Sequence, residues 1–312
     1  MKSFPLFLAV AALSPVAQAA PFSLPGINMQ KQANAVLSLM SYSVVPDLTS
    51  SSVSISNGNT GNPEIGMTQF GGGFTISHDT PLYLEGAIAA SRYDPTYLAT
   101  DGQETRKLPV KWNTVSGTGG IGWDFPLTED KELVIRPIVN FSLGYVASDL
   151  RLAQAFINYK ADTDIEFLHH GTLKAYGYGG SLMLDYEHVR PEGEIDIELR
   201  YSDIRLESYG GTSTAVKGTA DAQTANLYAR YRAPTGLTAL SRPVRYVLEL
   251  SHSHYMGSQA GILGFDYLTS VGLGLELDSS AYDIFVTRTR LVLRHVFGNN
   301  VSGYSVGLAV SF

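Results

Sequence analysis

The sequence predicts an all-β protein, a transmembrane antiparallel β-barrel of about twelve strands with an N-terminal α-helix in or near the pore. Three observations predict it. Hydrophobicity alternates with period two from residue 50 onward, the connections alternate between short and long, and the last strand has one large apolar face. In "VSGYSVGLAVSF", residues 301–312, Tyr304, Val306, Leu308, Val310 and Phe312 share one face; Gly303, Ser305, Gly307, Ala309 and Ser311 share the other. Such a strand suits a wall between two unlike media.

Composition agrees. Mean hydropathy is +0.02, far too low for a helical membrane protein, and no internal run approaches the ~18 apolar residues of a spanning helix. Alternating barrel strands escape that test. The 18 Tyr, 13 Phe and 31 Gly match a sheet protein with aromatic belts and places where backbone needs room. Cys is absent, which removes disulfides, thiolate metal sites and Cys nucleophiles. A net charge of −7 argues against a nucleic-acid partner.

The elements follow in order. Lys2, the apolar run 4–13 and Ala17-Gln18-Ala19 read as a signal peptide over 1–19, which implies export. Residues 20–47 form an N-terminal segment with a plug-like helix: Asn28 caps it, Met29, Val36, Leu37 and Met40 recur at helical spacing, and Pro46 ends it. The barrel occupies 48–312. Its expected strands are 50–57, 65–77, 82–93, 111–123, 133–147, 173–188, 193–206, 223–233, 244–256, 267–277, 282–297 and 301–312, each near the ~9–11 residues of a tilted membrane strand.

A soluble sandwich also alternates, but its inner faces must be dry. Here Leu133, Ile135, Val139, Phe141, Leu143 and Tyr145 oppose Arg136, Asn140, Ser142 and Gly144. Ile195, Ile197, Leu199 and Tyr201 oppose Asp196, Glu198, Arg200 and Ser202, and Val271, Leu273, Leu275 and Leu277 oppose Ser270, Gly272, Gly274 and Glu276. The short links at 78–81, 126–131, 191–193 and 278–281 alternate with long polar ones at 94–110, 148–172 and 207–222, the pattern of periplasmic turns against exterior loops.

The terminal strand, with Tyr304, Val306, Leu308, Val310 and Phe312 on its outer face, resembles the assembly signal of bacterial outer-membrane barrels. A helix over 28–45 leading into about twelve strands resembles the autotransporter translocator domain, most nearly the solitary barrels that lack a passenger. The resemblance covers nearly all of the mature chain by layout. It implies a pore with a helix through it, an outer-membrane location, lipid and lipopolysaccharide around the barrel, and the barrel-assembly machinery as partner of the last strand. A monomer is expected. The chain departs from passenger-bearing members in having only about thirty residues between the cleavage site and the first strand.

Parity places Glu85, Arg136, Asp185, Asp196, Glu198, Arg200, Arg230, Arg232, Glu249, Glu276, Arg288, Arg290 and Arg294 in the lumen. Both signs occur in similar number, so cross-lumen ion pairs are expected. They make either a charge-selecting constriction or a network that fills a narrow barrel and holds the plug helix. "ELSHSHYMG", residues 249–257, resembles the His and Ser of outer-membrane phospholipases, but a dyad needs both groups on one face. Here His252 and His254 point out while Ser251 and Ser253 point in. A metal pair from these histidines lacks a third ligand. His169 and His170 with Asp162, Asp164 and Glu166 could hold a cation loosely in a loop, and Asp94, Asp101 and Asp149 lie near the rim. "GGG" at 71–73 reads as an uncrowded wall, opposite no bulky side chain, against which the helix lies. The expected function is a non-enzymatic plugged pore or envelope structural protein, with no cofactor, metal or catalytic residue expected. The alternatives are a barrel enzyme of lipase or protease type and a surface adhesin acting through the long loops.

Overall fold

The computed structural model describes residues 37, 51–56, 64–77, 79–94, 96–100, 105–109, 112–148, 172–209, 218–261, 264–279, 287–299 and 301–311. The strands are β1 (Ser51–Ser56), β2 (Glu64–Thr75), β3 (Leu82–Asp94), β4 (Thr96–Thr100), β5 (Thr105–Pro109), β6 (Trp112–Trp123), β7 (Phe125–Pro126) and β8 (Leu133–Ser148). They continue with β9 (Thr172–Arg190), β10 (Gly193–Ser208), β11 (Thr219–Ala239), β12 (Arg242–Gly257), β13 (Tyr267–Asp278), β14 (Arg288–Gly298) and β15 (Val301–Ser311). Among the described residues every pairing is antiparallel, and twelve strands form one ring. β6 bonds β3 on one side and β8 on the other, and β1 bonds β15, with Ser51 opposite Gly307 and Ser56 opposite Ser302. That last pairing closes the sheet and removes both edges.

Alternation sets the two faces. Phe70, Ile88, Val115, Val139, Phe141, Leu199, Leu248, Leu273, Leu293 and Leu308 stand exposed around the ring. Leu273, 63% exposed, lies opposite Leu248 and Leu293, so three neighbouring strands present leucine side by side. Water would not tolerate so continuous an apolar belt; it is the lipid-facing band of a transmembrane barrel. Tyr145, Tyr178, Tyr201, Tyr231 and Trp123 border it, as aromatic girdles do.

Several expectations change. The link between β3 and β6 contains a hairpin of its own, β4 with β5, because its Thr- and Leu-bearing halves pair from Thr96–Pro109 to Thr100–Thr105. The link expected at 278–281 runs from 279 to 287, and β14 begins at Arg288 rather than 282, since the ladder with β13 ends at Asp278–Arg288. At the other end β14 and β15 are joined by 299–300 alone, so the length alternation is not strict. Gly73 is not opposite empty space. A Cβ there would collide with the Tyr83 ring, whose register partner is Thr75, so glycine admits an inward aromatic. Phe312 lies outside the described residues, as do 101, 149, 162, 164, 166, 169 and 170. Of the expected helix, Leu37 alone is described: it is helical and 0% exposed.

Strands β9 to β12 have 19, 16, 21 and 16 residues, beyond the ~9–11 that a tilted crossing needs. The excess has its own polarity. On β10 the outer face is apolar from Ile195 to Tyr201, then becomes Asp203, Arg205 and Glu207. The inner face changes in the opposite sense, from Glu194, Asp196 and Arg200 to buried Ile204 and Leu206, beside buried Leu173, Ala175, Ala220 and Ala222. The inversion marks where lipid ends and water begins. Glu207 there accepts hydrogen bonds from Tyr176 (2.6 Å), Tyr178 (3.2 Å) and Arg205 (3.0 Å), a polar rim on the outside of the wall.

The band predicts a depth-dependent cost. Leu273→Arg should destabilise the refolded barrel in vesicles by about 2–4 kcal/mol, and Thr289→Arg, near the end of β14, by about 0–1 kcal/mol. Chemical unfolding of the two variants checks this; equal costs would contradict a lipid-facing Leu273.

Candidate functional site

The charged residues assigned to the lumen by parity all lie on inward positions, most of them buried, and they gather into four groups. In mid-barrel, Arg200 on β10 forks onto Glu85 on β3, with Nη1 and Nη2 each 2.8 Å from a carboxylate oxygen. These strands are four apart in the ring, so the pair spans the lumen. Asn140 donates to Glu85 at 2.6 Å, Ser181 donates to Asn140 at 2.6 Å, and Arg200 also donates to Ser181 and Ser202. The Glu85 side chain is completely dehydrated.

Nearer the short links, Arg136 on β8 bridges Asp124 and Asp185 and lies 3.9 Å from the Tyr83 ring centroid, while Thr75 donates to Asp124 at 2.6 Å. At that same end Glu194 takes Arg232 at 2.7 Å, Arg245 at 2.7 Å and Arg288 at 3.1 Å. Glu276 meets Arg232, Arg290 and Arg245 at 3.4–3.8 Å. Back in mid-barrel, Glu249 receives Arg294 at 2.5 Å, Arg290 at 3.5 Å and the Tyr228 hydroxyl at 3.0 Å. Asp196 pairs with Arg230, and Glu198 stands beside it.

Sequence reasoning missed Glu194, Arg245 and Asp124. Glu194 and Arg245 share the inward parity of Asp196 and Glu249 and fall inside the expected strands 193–206 and 244–256, so the signal was present. Asp124 keeps the inward parity of Thr114, Ser116 and Thr118, but it lies one residue past the end of the expected strand 111–123. The inward small residues of β13 and β15 border filled space rather than an open channel. A Cβ at Gly307 would strike the Arg294 guanidinium, one at Gly272 would meet Val292 and Arg294, and one at Gly274 would meet Val292. Glycine here makes room for neighbouring side chains. Inward Gly71, Gly73 and Gly177 instead border a cavity of ≈ 1630 Å³, together with Glu187, Asp196, Glu198, Arg230 and Arg290.

The Ser and His of 249–257 do not meet. His252 Nδ1 and Thr269 Oγ1 stand 2.8 Å apart, and the ring packs on Tyr267; Ser251 bonds Ser270 and Ser253 accepts from Asn226. Of the terminal-strand residues, Tyr304, Val306 and Leu308 point outward and are exposed, with Tyr304 tilted against His295 at 5.0 Å between centroids. Val310 lies in β15. Outside the strands, Glu132 in the 127–132 turn contacts His188 at 2.7 Å and Arg190 at 2.8 Å. The His188 hydrogen bond, assisted by Arg190, holds the Glu132 carboxyl below the usual carboxylate range.

A closed ring, a lipid-facing belt and a lumen of matched charges define a transmembrane barrel of the outer-membrane type. More narrowly, its fold is that of an autotransporter-type β-barrel. The transport unit of the autotransporter AIDA-I from Escherichia coli is similar over 92% of this chain and 100% of its own, with a TM-score of 0.52 and 11% identity. The β domain of the Bordetella autotransporter BrkA is similar over 84% and 96%, with a TM-score of 0.47 and 14% identity. The translocator domain of NalP from Neisseria meningitidis matches over 92% and 100%, with a TM-score of 0.45 and 9% identity. No family model matches the sequence, and no curated protein matches it either.

Two outcomes follow. Arg200→Met strands a dehydrated Glu85 carboxylate and should cost about 3–5 kcal/mol, whereas adding Glu85→Gln should recover most of it; urea unfolding of both variants measures the difference. For Glu132, a depressed carboxyl contributes above the usual carboxylate range, and the contribution is lost as pH falls through the depressed value. The stability gap between the native chain and Glu132→Gln should therefore be present at neutral pH and close in acid.

Proposed function

We propose that this chain is a non-enzymatic outer-membrane barrel whose pore is occluded, by its own charge network and by the 28–45 helix lying in the lumen. The observation that carries the reading is the Arg200–Glu85 fork, which runs across the lumen between strands four apart rather than lining a wall. A barrel of this strand number is narrow, and side chains that cross it obstruct it. The buried, helical Leu37 supports an apolar helix packed against protein, and Gln30, Lys31, Gln32, Asn34 and Ser38 offer hydrogen bonds to a charged wall. The Arg288–Arg290–Arg294 row on β14 helps hold it.

The outer-membrane location rests on the signal-peptide pattern of 1–19 and on the lipid-facing band, with lipid and lipopolysaccharide as surroundings. Exposed Tyr304, Val306 and Leu308 on the last strand support recognition by the barrel-assembly machinery, and the protein acts as a monomer. Opposite-face placement of His252 and Ser251 supports a non-enzymatic role.

Planar-bilayer conductance tests the occlusion. The whole chain should conduct poorly, and a version lacking residues 20–47 should conduct markedly better while keeping its heat-modifiable gel migration. A truncated barrel that conducts no better would overturn the helix plug.

A further inference from the structure

Two spaces inside the barrel adjoin at one carboxylate. The ≈ 1630 Å³ cavity and a second of ≈ 380 Å³ are both bordered by Gly73, Thr75, Glu187 and Glu198. The smaller one is also lined by Lys131 and Glu132 from the turn at the short-link mouth of the barrel. The pair thus traces a route from that mouth into the lumen, and a small ion on the route passes Glu187.

Pairing sets Glu187 apart from the other carboxylates along the way. Asp124 and Asp185 share Arg136, and Asp196 holds Arg230. Glu132 meets His188 and Arg190, and Glu198 has a partner as well. Glu187 is exposed to the lumen, and among the described residues its carboxylate makes no ion pair and no hydrogen bond. The register explains why: its neighbour across the ladder is Asp196, whose arginine is already taken. The rest of the junction is uncharged on its β2 side, where Gly73 has no side chain and Thr75 donates its hydroxyl to Asp124 at 2.6 Å.

The cations on the route do not offset this charge. Arg136 and Arg230 are held as above, and Arg290 lies between Glu249 and Glu276. Lys131 makes no ion pair among the described residues, but it is exposed in the turn at the mouth, where salt screens a charge within about 10 Å at 0.1 M. Glu187 stands between low-dielectric walls, which focus its field along the opening.

We propose that Glu187 is the charge-selecting residue of this barrel and makes its lumen path prefer small cations over anions. A free carboxylate beside the path lowers the energy of a passing cation and raises that of an anion. The paired charges around it serve as wall. The inference rests on the pore reading but not on the helix plug, since it concerns the sign of what passes and not the amount.

Reversal potentials under a KCl gradient, in neutral phosphatidylcholine bilayers, test it. The full chain, read through many inserted copies, and the version lacking 20–47 should both favour K⁺ over Cl⁻ by about fivefold or more, the Boltzmann weight of a unit charge passed at about 4 Å in water. Glu187→Gln breaks no pair, so it should keep heat-modifiable migration while abolishing the preference, and Glu187→Lys should invert it. Lys131→Gln should leave the preference in place. An anion preference in the native chain, an unchanged ratio in Glu187→Gln, loss of the preference in Lys131→Gln, or no current through either chain overturns the proposal. Conductance that fails to rise on deleting 20–47 overturns the helix plug alone, and the ion preference is still read.

Discussion

A sheet in lipid must leave no backbone amide or carbonyl unpaired, and the β1–β15 ladder is what meets that demand here. Everything else follows from closure. A ring of twelve strands has a narrow inside, so inward side chains lose most of their water. Charged groups can remain there only if each finds a partner across or along the wall. Glu85 therefore reaches Arg200 four strands away, and Glu194 gathers three arginines from β11, β12 and β14. The chain spends buried charge where an apolar core would serve stability as well, because the outer face has already taken the apolar positions.

Narrowness also decides which residues can sit beside a guanidinium. Arg294 lies over Gly307 and Glu85 over Gly120. In each case a Cβ would occupy the space of the long side chain. Tyr83 over Gly73 repeats the arrangement with an aromatic ring. Glycine in these strands is thus the complement of a bulky inward neighbour, and each such pair behaves as one packing unit.

That complementarity explains how far the sequence could be read. Parity is a local property, so the outward belt and the inward placement of residues such as Arg290 and Glu276 were legible strand by strand. Terminal-strand alternation and the turn pattern made the ring itself legible. Partnership is not local. Nothing in the sequence says that Glu85 meets Arg200, 115 positions away, or that the glycine row in β13 and β15 is filled by Arg294 and Val292. Glu194 and Arg245 carry the inward parity, but nothing local marks them as members of one cluster with Arg232, Arg288 and Glu276. Asp185 and Glu198 were placed in the lumen by parity, but only the register of β9 with β10 makes them neighbours.

The polarity inversion on β10 has a consequence for the molecule as a physical object. Below Tyr201 the wall obeys the rules of a lipid solvent; beyond it, with Asp203, Arg205 and Glu207 outside and Ile204 and Leu206 inside, the same strands obey the rules of a water-soluble sheet. One continuous hydrogen-bonded ribbon thus carries two oppositely wired amphiphiles end to end. Its crossing point works as a float line: sliding the barrel in either direction drags charge into oil or oil into water. The depth at which the protein rides in its bilayer is therefore written into one strand, to within the ~3.4 Å rise of a residue.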